Sequence, residues 1–395
     1  MEDQKIDLSG LCGPVRASLE DFDALIQLMD ECFPRDKELG GMLPRWPHCF
    51  RKDKIRNSLI IKDGTRVVSH VGCIDQTVTL GQGEIRVAGI SGVGTKPEYR
   101  KRGLMTKILL YTEDFLKAQG YAMSDLGGNR QRYGRFGWEV GGRAWQFSIT
   151  ARSLGSEERP TGFEVSKYTA NPDEVHSTLL LNRRQRTGVK RDRNLHAILL
   201  GRLGKEVLLA RRDGVVEAYA VIDRQEKWAH IGEFAGDADG VHSILLHLVD
   251  SLGVETEAVP APWSHPVNER LRALSSGWQV SCLRNIKIID LMATLKAFSR
   301  QISKRCRDLG LKTARTLTLG IEGEPRAVKV GFSPRKTSVG PTKAGKDAII
   351  LSRTEMVQFL FGPGSPGGVA DLPPKASFLD ALLPLDFYMW PNETV

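Results

Sequence analysis

Arg100, Lys101 and Arg102 are three consecutive cations, and they are followed at once by Gly103 and then by Leu104-Met105-Thr106. After Pro97 the apolar residues Leu104, Ile108, Leu109, Phe115 and Leu116 fall at helical spacing, and Gly120 is placed to end the run. Gly103 therefore stands at a helix N-terminus. Such a terminus presents unpaired N–H groups and partial positive charge, a glycine lets a phosphate approach the backbone, and the three side chains add full charges. A pyrophosphate suits this description. Two familiar phosphate loops are excluded by spelling: Gly92-Val93-Gly94 would need a further glycine at Pro97 for a dinucleotide fingerprint, and no Gly-Lys-Ser/Thr ending occurs for a P-loop. The alternative for the three cations is a solvated basic turn.

The elements that must position this turn are readable around it. Ile85–Ile90 has strand character, and the glycines at 89, 92 and 94 mark either a bulge or a close approach to the backbone, which a ligand would explain. Ser58–Ile61, Asp63-Gly64 and Val67–Val71 read as a hairpin; Thr77–Leu80, Gly81–Gly83 and Ile85–Ile90 read as the next one. Tyr121–Leu126 is a short strand after the helix, and Ser18–Met29 an amphipathic helix before the hairpins. Cys32–Phe50, rich in Pro and Gly, is expected to be an irregular loop, in which Trp46 and Phe50 are candidates to touch a substrate. The order is α+β.

Arg100-x-x-Gly103-x resembles motif A of the GNAT acetyltransferases, Arg/Gln-x-x-Gly-x-Gly/Ala, which binds the pyrophosphate of acetyl-CoA. Met105 stands where the family has Gly or Ala. The Eis-like (enhanced intracellular survival) branch tolerates a larger residue there, and its second signature is similar to Tyr133-Gly134-Arg135-Phe136-Gly137-Trp138. The resemblance implies that Val93, Gly94 and Thr95 hold pantetheine amides and that Lys101, Arg102, Gly103, Leu104, Met105 and Thr106 hold the pyrophosphate. Gly128 and Asn129 occupy the cofactor-side positions where the family has Ser-Glu. Tyr133 takes the place of the general acid that protonates the leaving thiolate, a role open to a hydroxyl with pKa of about 10; the alternative is a core tyrosine. In the Eis-like branch the C-terminal carboxylate accepts the amine's proton, and here that group belongs to Val395. Position matters more than basicity for such a group; the alternative is an inert terminus.

The expected architecture is three domains: a catalytic GNAT domain at 1–150, a degenerate GNAT-like domain without a CoA site at 151–288, and a sterol-carrier-like α+β domain at 289–395. Ala151–Thr161 reads as a linker. In the second domain a helix at Pro172–Asn182, strands at 206–210, 215–223 and 228–234, and a helix at Gly240–Leu252 partly repeat the first, but Ala235-Gly236-Asp237-Ala238-Asp239-Gly240 puts aspartates where the first has cations and would repel pyrophosphate. In the third, a helical stripe runs from Leu291 to Ile302, strands are expected at 316–320, 327–331 and 348–352, and helices at 354–360 and 377–383.

Composition sets the remaining limits. The 395 residues are 41% hydrophobic and 26% charged, with a net charge of +9. No apolar run reaches membrane-span length and Met1–Lys5 lacks the features of a signal peptide, so a cytoplasmic location is expected. Six scattered cysteines indicate neither a disulfide framework nor a zinc site, and His176, His230, His242, His247 and His265 show no ligand spacing, so no metal is expected. The basic run from Arg183 to Arg193 lacks the interleaved aromatics of a single-strand binder and reads as a solvated face, not a nucleic-acid site. The leading expectation is an acetyl-CoA-dependent N-acetyltransferase acting directly on a primary amine of a cationic acceptor, an aminoglycoside, polyamine or lysine. The resemblance adds a homo-oligomer, commonly a hexamer. The rival is a non-catalytic CoA sensor or a carrier of apolar ligands.

Overall fold

The computed structural model describes residues 6–155, 158–225, 228–251, 253, 255–258, 260 and 265–395. Met1–Lys5, two positions of the expected linker (Ser156 and Glu157) and Leu252 at the end of an expected helix lie outside the described residues. The chain divides into two compact units: residues up to 142 with 284–385 and 395, and residues 143–283 with 386–394.

The first unit opens with β1 (Cys12–Arg16), α1 (Phe22–Cys32), α2 (Pro34–Glu38), α3 (Met42–Arg45), β2 (Ser58–Asp63), β3 (Arg66–Leu80), β4 (Glu84–Thr95), α4 (Leu104–Ala118), β5 (Met123–Leu126) and α5 (Arg130–Gly134). Phe22, Leu25, Leu28 and Met29 form the buried stripe of α1, and Leu104, Ile108, Leu109, Thr112 and Leu116 that of α4. The strands lie in the order β1-β2-β3-β4-β5. Successive strands to β4 are antiparallel, whereas β5 runs parallel to β4 and pairs only from Val87–Met123 to Ile90–Leu126. Ser91–Thr95 therefore run past the end of the pairing with their parallel neighbour.

The expected loop at Cys32–Phe50 is not irregular throughout: it contains α2 and α3. Pro34 opens α2 at a position where its missing N–H costs nothing, and the Asp36 carboxylate gathers the segment by accepting from Arg45 Nε at 2.7 Å and Trp46 Nε1 at 3.2 Å.

The second unit contains most of β6 (Glu139–Ile149), then α6 (Ala151–Leu154), β7 (Glu164–Lys167), α7 (Pro172–Arg183), β8 (Thr187–Val189), α8 (Arg193–Gly201), β9 (Glu206–Arg212), β10 (Val215–Arg224), β11 (Trp228–Gly236), α9 (Ala238–Leu246), β12 (Glu255–Ala258), α10 (Pro266–Leu274) and the start of β13 (Gly277–Ile288). Its strands follow β6-β12-β11-β10-β9-β7, with β12 parallel to β11 as β5 is to β4. The expected helix at 240–252 is α9 followed by a wider turn at His247–Ser251. Asp237 Oδ1 accepts from the N–H groups of Asp239 and Gly240, both at 3.0 Å. The carboxylate thus occupies the donors that a phosphate would need, besides repelling it.

The chain then returns to the first unit, where Asn285–Ile288 of β13 pair antiparallel with β5. There follow α11 (Leu291–Ala297), α12 (Ser299–Asp308), β14 (Arg315–Ile321), β15 (Ala327–Phe332), β16 (Ser338–Thr342), β17 (Ile349–Leu351), α13 (Arg353–Phe361) and α14 (Leu379–Leu382). The last four strands form their own sheet, ordered β16-β15-β14-β17. The stripe expected as one helix from Leu291 to Ile302 is divided at Phe298.

Candidate functional site

The basic turn closes one end of a cavity of about 460 Å³ in the first unit. Val93, Gly94, Thr95, Lys101, Gly103, Leu104, Met105 and Thr106 all line it, so eight of the residues expected at a cofactor site come together. Gly103 caps α4 with φ +77° and supplies no side-chain cap, and the first turn of the 15-residue helix, Leu104 to Thr106, lines this space. Lys101 also has positive φ, +65°, a conformation rarely adopted by residues with a Cβ. Arg100 lines the cavity and donates from Nε to the Thr95 carbonyl at 3.2 Å.

The same wall holds four cations, Arg100, Lys101, Arg132 and Arg135, and no carboxylate. Arg132 and Arg135 carried no assignment in the sequence. Their signal was a pair three residues apart flanking Tyr133-Gly134 beside the Asn129 cap of α5, whose Oδ1 accepts from Arg132 N–H at 3.1 Å. Cys32 and Phe33, from the end of α1, complete that side. Burial raises the Cys32 thiol pKa, with Arg100 opposing the shift.

Arg102, Gly128 and Asn129 are not among the lining residues. The Arg102 guanidinium serves the turn instead: Nη2 donates to the Ser9 carbonyl at 2.9 Å and Nε lies 3.4 Å from Asp7 Oδ2. Gly128, at φ +147°, lies under Tyr133, and a Cβ there would stand 2.8 Å from Tyr133 Cε2. Gly128 and Asn129 therefore shape the seat of the tyrosine.

Tyr133, Phe136, Gly137 and Trp138 each make a defined contact around that seat. Tyr133 is buried and its ring meets Trp138 edge-on at 6.4 Å. Burial raises its pKa against the opposing charge of Arg132, so the hydroxyl keeps its proton at neutral pH. The Phe136 carbonyl accepts from the buried Lys287 ammonium at 2.6 Å, and Gly137, at φ +88°, gives room to Arg353, whose Cδ would lie 2.8 Å from a Cβ. Lys287 also donates to Glu113 Oε2 at 2.5 Å. Although burial works the other way, Lys287 and its neighbours hold the Glu113 carboxyl down to about 2.

The glycines of β4 are filled by the protein itself, which corrects the reading that a ligand explains them. A Cβ on Gly92, where φ is +56°, would stand 2.8 Å from Met29 Sδ, and one on Gly94 would stand 3.0 Å from Met29 Cε. His70 donates from Nδ1 to the Gly92 carbonyl at 2.7 Å where the β3–β4 register shifts, so the bulge is an internal device. At Gly89 the neighbour is the chain end: a Cβ there would overlap Val395 and approach Gln76 Oε1 to 2.9 Å. Val395 belongs to the apolar cluster that holds Phe50, Ile60 and Ile74, whereas Tyr133 belongs to the one that holds Ala88, Ile90 and Leu104. Since Gly89 points away from Ala88 and Ile90, the tyrosine and the chain end address opposite faces of β4. Phe50 is a core residue beside His70, at a ring separation of 6.2 Å, and Trp46 is partly buried on that same cluster.

Among the described residues no group of three or more His, Cys, Asp or Glu could hold a metal ion, and no helix is long and apolar enough to cross a membrane.

Residues 15–141 match the family model described as an acetyltransferase (GNAT) domain. No curated protein is significantly similar in sequence. In fold the chain is similar to a GCN5-related N-acetyltransferase from Kribbella flavida, with 18% identity, TM-score 0.68 and 98% of each chain covered. It is similar also to one from Anabaena variabilis, with 16% identity, TM-score 0.68 and coverage of 95% of this chain and 98% of that one. A third is Eis1 from Mycobacterium abscessus, at 14% identity and TM-score 0.65 over 96% of this chain and 98% of that one. The match over 15–141 identifies an acetyltransferase (GNAT) domain within the chain, and with it N-acetyltransferase activity.

Proposed function

We propose that the protein is an Eis-like, acetyl-CoA-dependent N-acetyltransferase that transfers acetyl directly to a primary amine of a cationic acceptor, such as an aminoglycoside, a polyamine or a lysine. The observation that carries this reading is the carboxylate-free cavity, in which four cations, the N-terminal turn of α4 and the Val93–Thr95 end of β4 converge. That combination suits a ligand with a pyrophosphate at one end and amides along its length. Val93, Gly94 and Thr95 would hold the pantetheine; Lys101, Gly103, Leu104, Met105 and Thr106, with Arg100, Arg132 and Arg135, would hold the phosphates. Arg102, Gly128 and Asn129 would act by shaping the turn and the Tyr133 seat.

In the proposed reaction the acceptor's neutral amine attacks the thioester carbonyl and the thiolate leaves. Tyr133 supplies the proton for that thiolate, because burial keeps its hydroxyl protonated. The Val395 carboxylate accepts the proton lost by the amine, directly or through water. Its support is the packing of Val395 against Gly89, on the face of β4 opposite Tyr133.

The reading extends to a three-part chain with a second, CoA-free GNAT-like domain and a sterol-carrier-like third, to a cytoplasmic location and to a homo-oligomer. The capping of α9 by Asp237 supports the CoA-free second domain.

The test is release of free CoA thiol from acetyl-CoA across polyamines, aminoglycosides and lysine peptides, with Tyr133→Phe beside the wild type. Amine-dependent release that falls by at least about a hundredfold in the variant is expected, the range of general acid catalysis. Saturable acetyl-CoA binding without release on any amine would favour the CoA-sensing reading.

A further inference from the structure

One buried cation of the first unit has no part in the proposed reaction. Lys287 stands on β13, opposite Ser124 of β5, and is 1% exposed. Its ammonium donates to Glu113 Oε2 at 2.5 Å and to the Phe136 carbonyl at 2.6 Å, and it lies 4.5 Å from the centroid of the Trp138 ring. A carboxylate, a carbonyl and an aromatic face together satisfy an ammonium on every side. Glu113 belongs to α4, the helix whose first turn lines the cavity, whereas Phe136 and Trp138 belong to the turn that follows α5. That turn is itself fastened to Tyr133. The Tyr133 carbonyl accepts from Phe136 N–H at 2.9 Å and from Trp138 N–H at 3.4 Å, and the Tyr133 and Trp138 rings meet edge-on. Trp138 Nε1 in turn donates to Ser124 Oγ at 3.3 Å.

A buried charge is a costly means of packing two elements together. Desolvation pulls the Lys287 pKa below its ordinary value even with Glu113 beside it, and a methionine would fill the space at lower cost. Apolar packing has no direction, however, whereas the ammonium ties α4 to the turn at Phe136–Trp138 through bonds of defined length and angle. The cavity takes Leu104–Thr106 from α4 and Arg132 and Arg135 from either side of Tyr133. The register between these two elements therefore decides where the tyrosine hydroxyl stands relative to a bound thioester. We propose that Lys287 is the positioning residue for Tyr133, holding its turn in register with α4. This rests on the reading of Tyr133 as the general acid.

The test is a double-mutant cycle in the full chain: wild type, Lys287→Met, Tyr133→Phe and the two substitutions together, with kcat and KM measured for acetyl-CoA and an amine acceptor. Lys287→Met leaves Glu113 paired with Lys117 at 2.9 Å, so no carboxylate is stranded. Its kcat is expected to fall about tenfold, with the KM for acetyl-CoA unchanged. In the Tyr133→Phe background the same substitution is expected to change kcat by less than about twofold, since a misplaced acid and a missing acid are one defect. A merely structural role would lower kcat alike in both backgrounds. That result, or a wild-type kcat in Lys287→Met, overturns the positioning role and leaves the acid standing. Should Lys287→Met lose its cooperative unfolding, Lys287→Arg is judged by the same criterion, because it keeps a counter-charge for Glu113 but replaces the compact ammonium by a planar fork. A wild-type kcat in Tyr133→Phe, or a wild type that acetylates no amine, overturns the acid and the positioning role with it.

Discussion

Gly89 has no room for a side chain, because the last residue of the chain occupies the space its Cβ would take. Gly89→Ala should therefore push the Val395 side chain off β4 and carry the terminal carboxylate with it. The expected outcome is a kcat reduced by about tenfold or more, with acetyl-CoA affinity unchanged by calorimetry. An unaltered kcat would show that the chain end has no part in turnover. The glycines of β4 were visible in the sequence, but their occupants were not. Met29, His70 and Val395 meet that strand only after folding, so the sequence left a bulge and an approaching ligand both open for positions 89, 92 and 94. Lys101 and Gly103 were legible for the opposite reason, since charge and a helix start are local properties. Arg132 and Arg135 escaped because nothing in their spacing says that α5 folds back toward the basic turn.

The elements that make the site were the ones read best. For α4, an unbroken apolar stripe between Pro97 and Gly120 leaves little choice. The elements read worst break a local rule. β16 contains Gly340 and Pro341 and was not among the expected strands; it is tolerated as an edge strand of its sheet, where a missing N–H need not find a partner. Cys32–Phe50 also looked like a loop, yet Asp36 organises it through two side-chain bonds that no spacing rule reports. A division of labour within the turn follows. Arg135, on the cavity wall at the end of α5, should bind phosphate, whereas Arg102 is committed to Ser9 and Asp7. Arg135→Gln is expected to weaken acetyl-CoA binding about tenfold, a charge-assisted hydrogen bond being worth about 1.5 kcal/mol or more. Arg102→Gln should change affinity less and lower the unfolding midpoint more. Calorimetry and urea titration on both variants check the pair, and the reverse ranking would move the phosphate site to the Arg102 side.

At the scale of the whole molecule, each unit buries a histidine that acid must charge. His70 in the first unit is fully buried, and desolvation pushes its pKa down to about 4. His196 in the second is pushed to about 4 by burial and by Arg191, and it is bonded through Nε2 to Thr178 Oγ1 at 3.0 Å. An unfolded chain protonates its histidines near pH 6.5, so between that value and about 4 the unfolded state binds protons that the folded state refuses. Stability must fall as pH drops through this window, by up to about 3 kcal/mol for each histidine. The carboxylates act later. Glu113, held at about 2, withdraws its contribution only as pH falls below the ordinary carboxylate range toward that value. The two effects therefore separate on the pH axis. Urea midpoints for the wild type should decline from pH 6.5 to 4.5 and again below 4.5. His70→Gln should remove part of the first decline and leave the second, because the amide does not titrate and can still donate toward the Gly92 carbonyl. A wild-type midpoint that stays flat down to pH 4.5 would mean that these imidazoles accept protons in the folded protein, and that the interior around β3 and α8 is wetter than its burial implies.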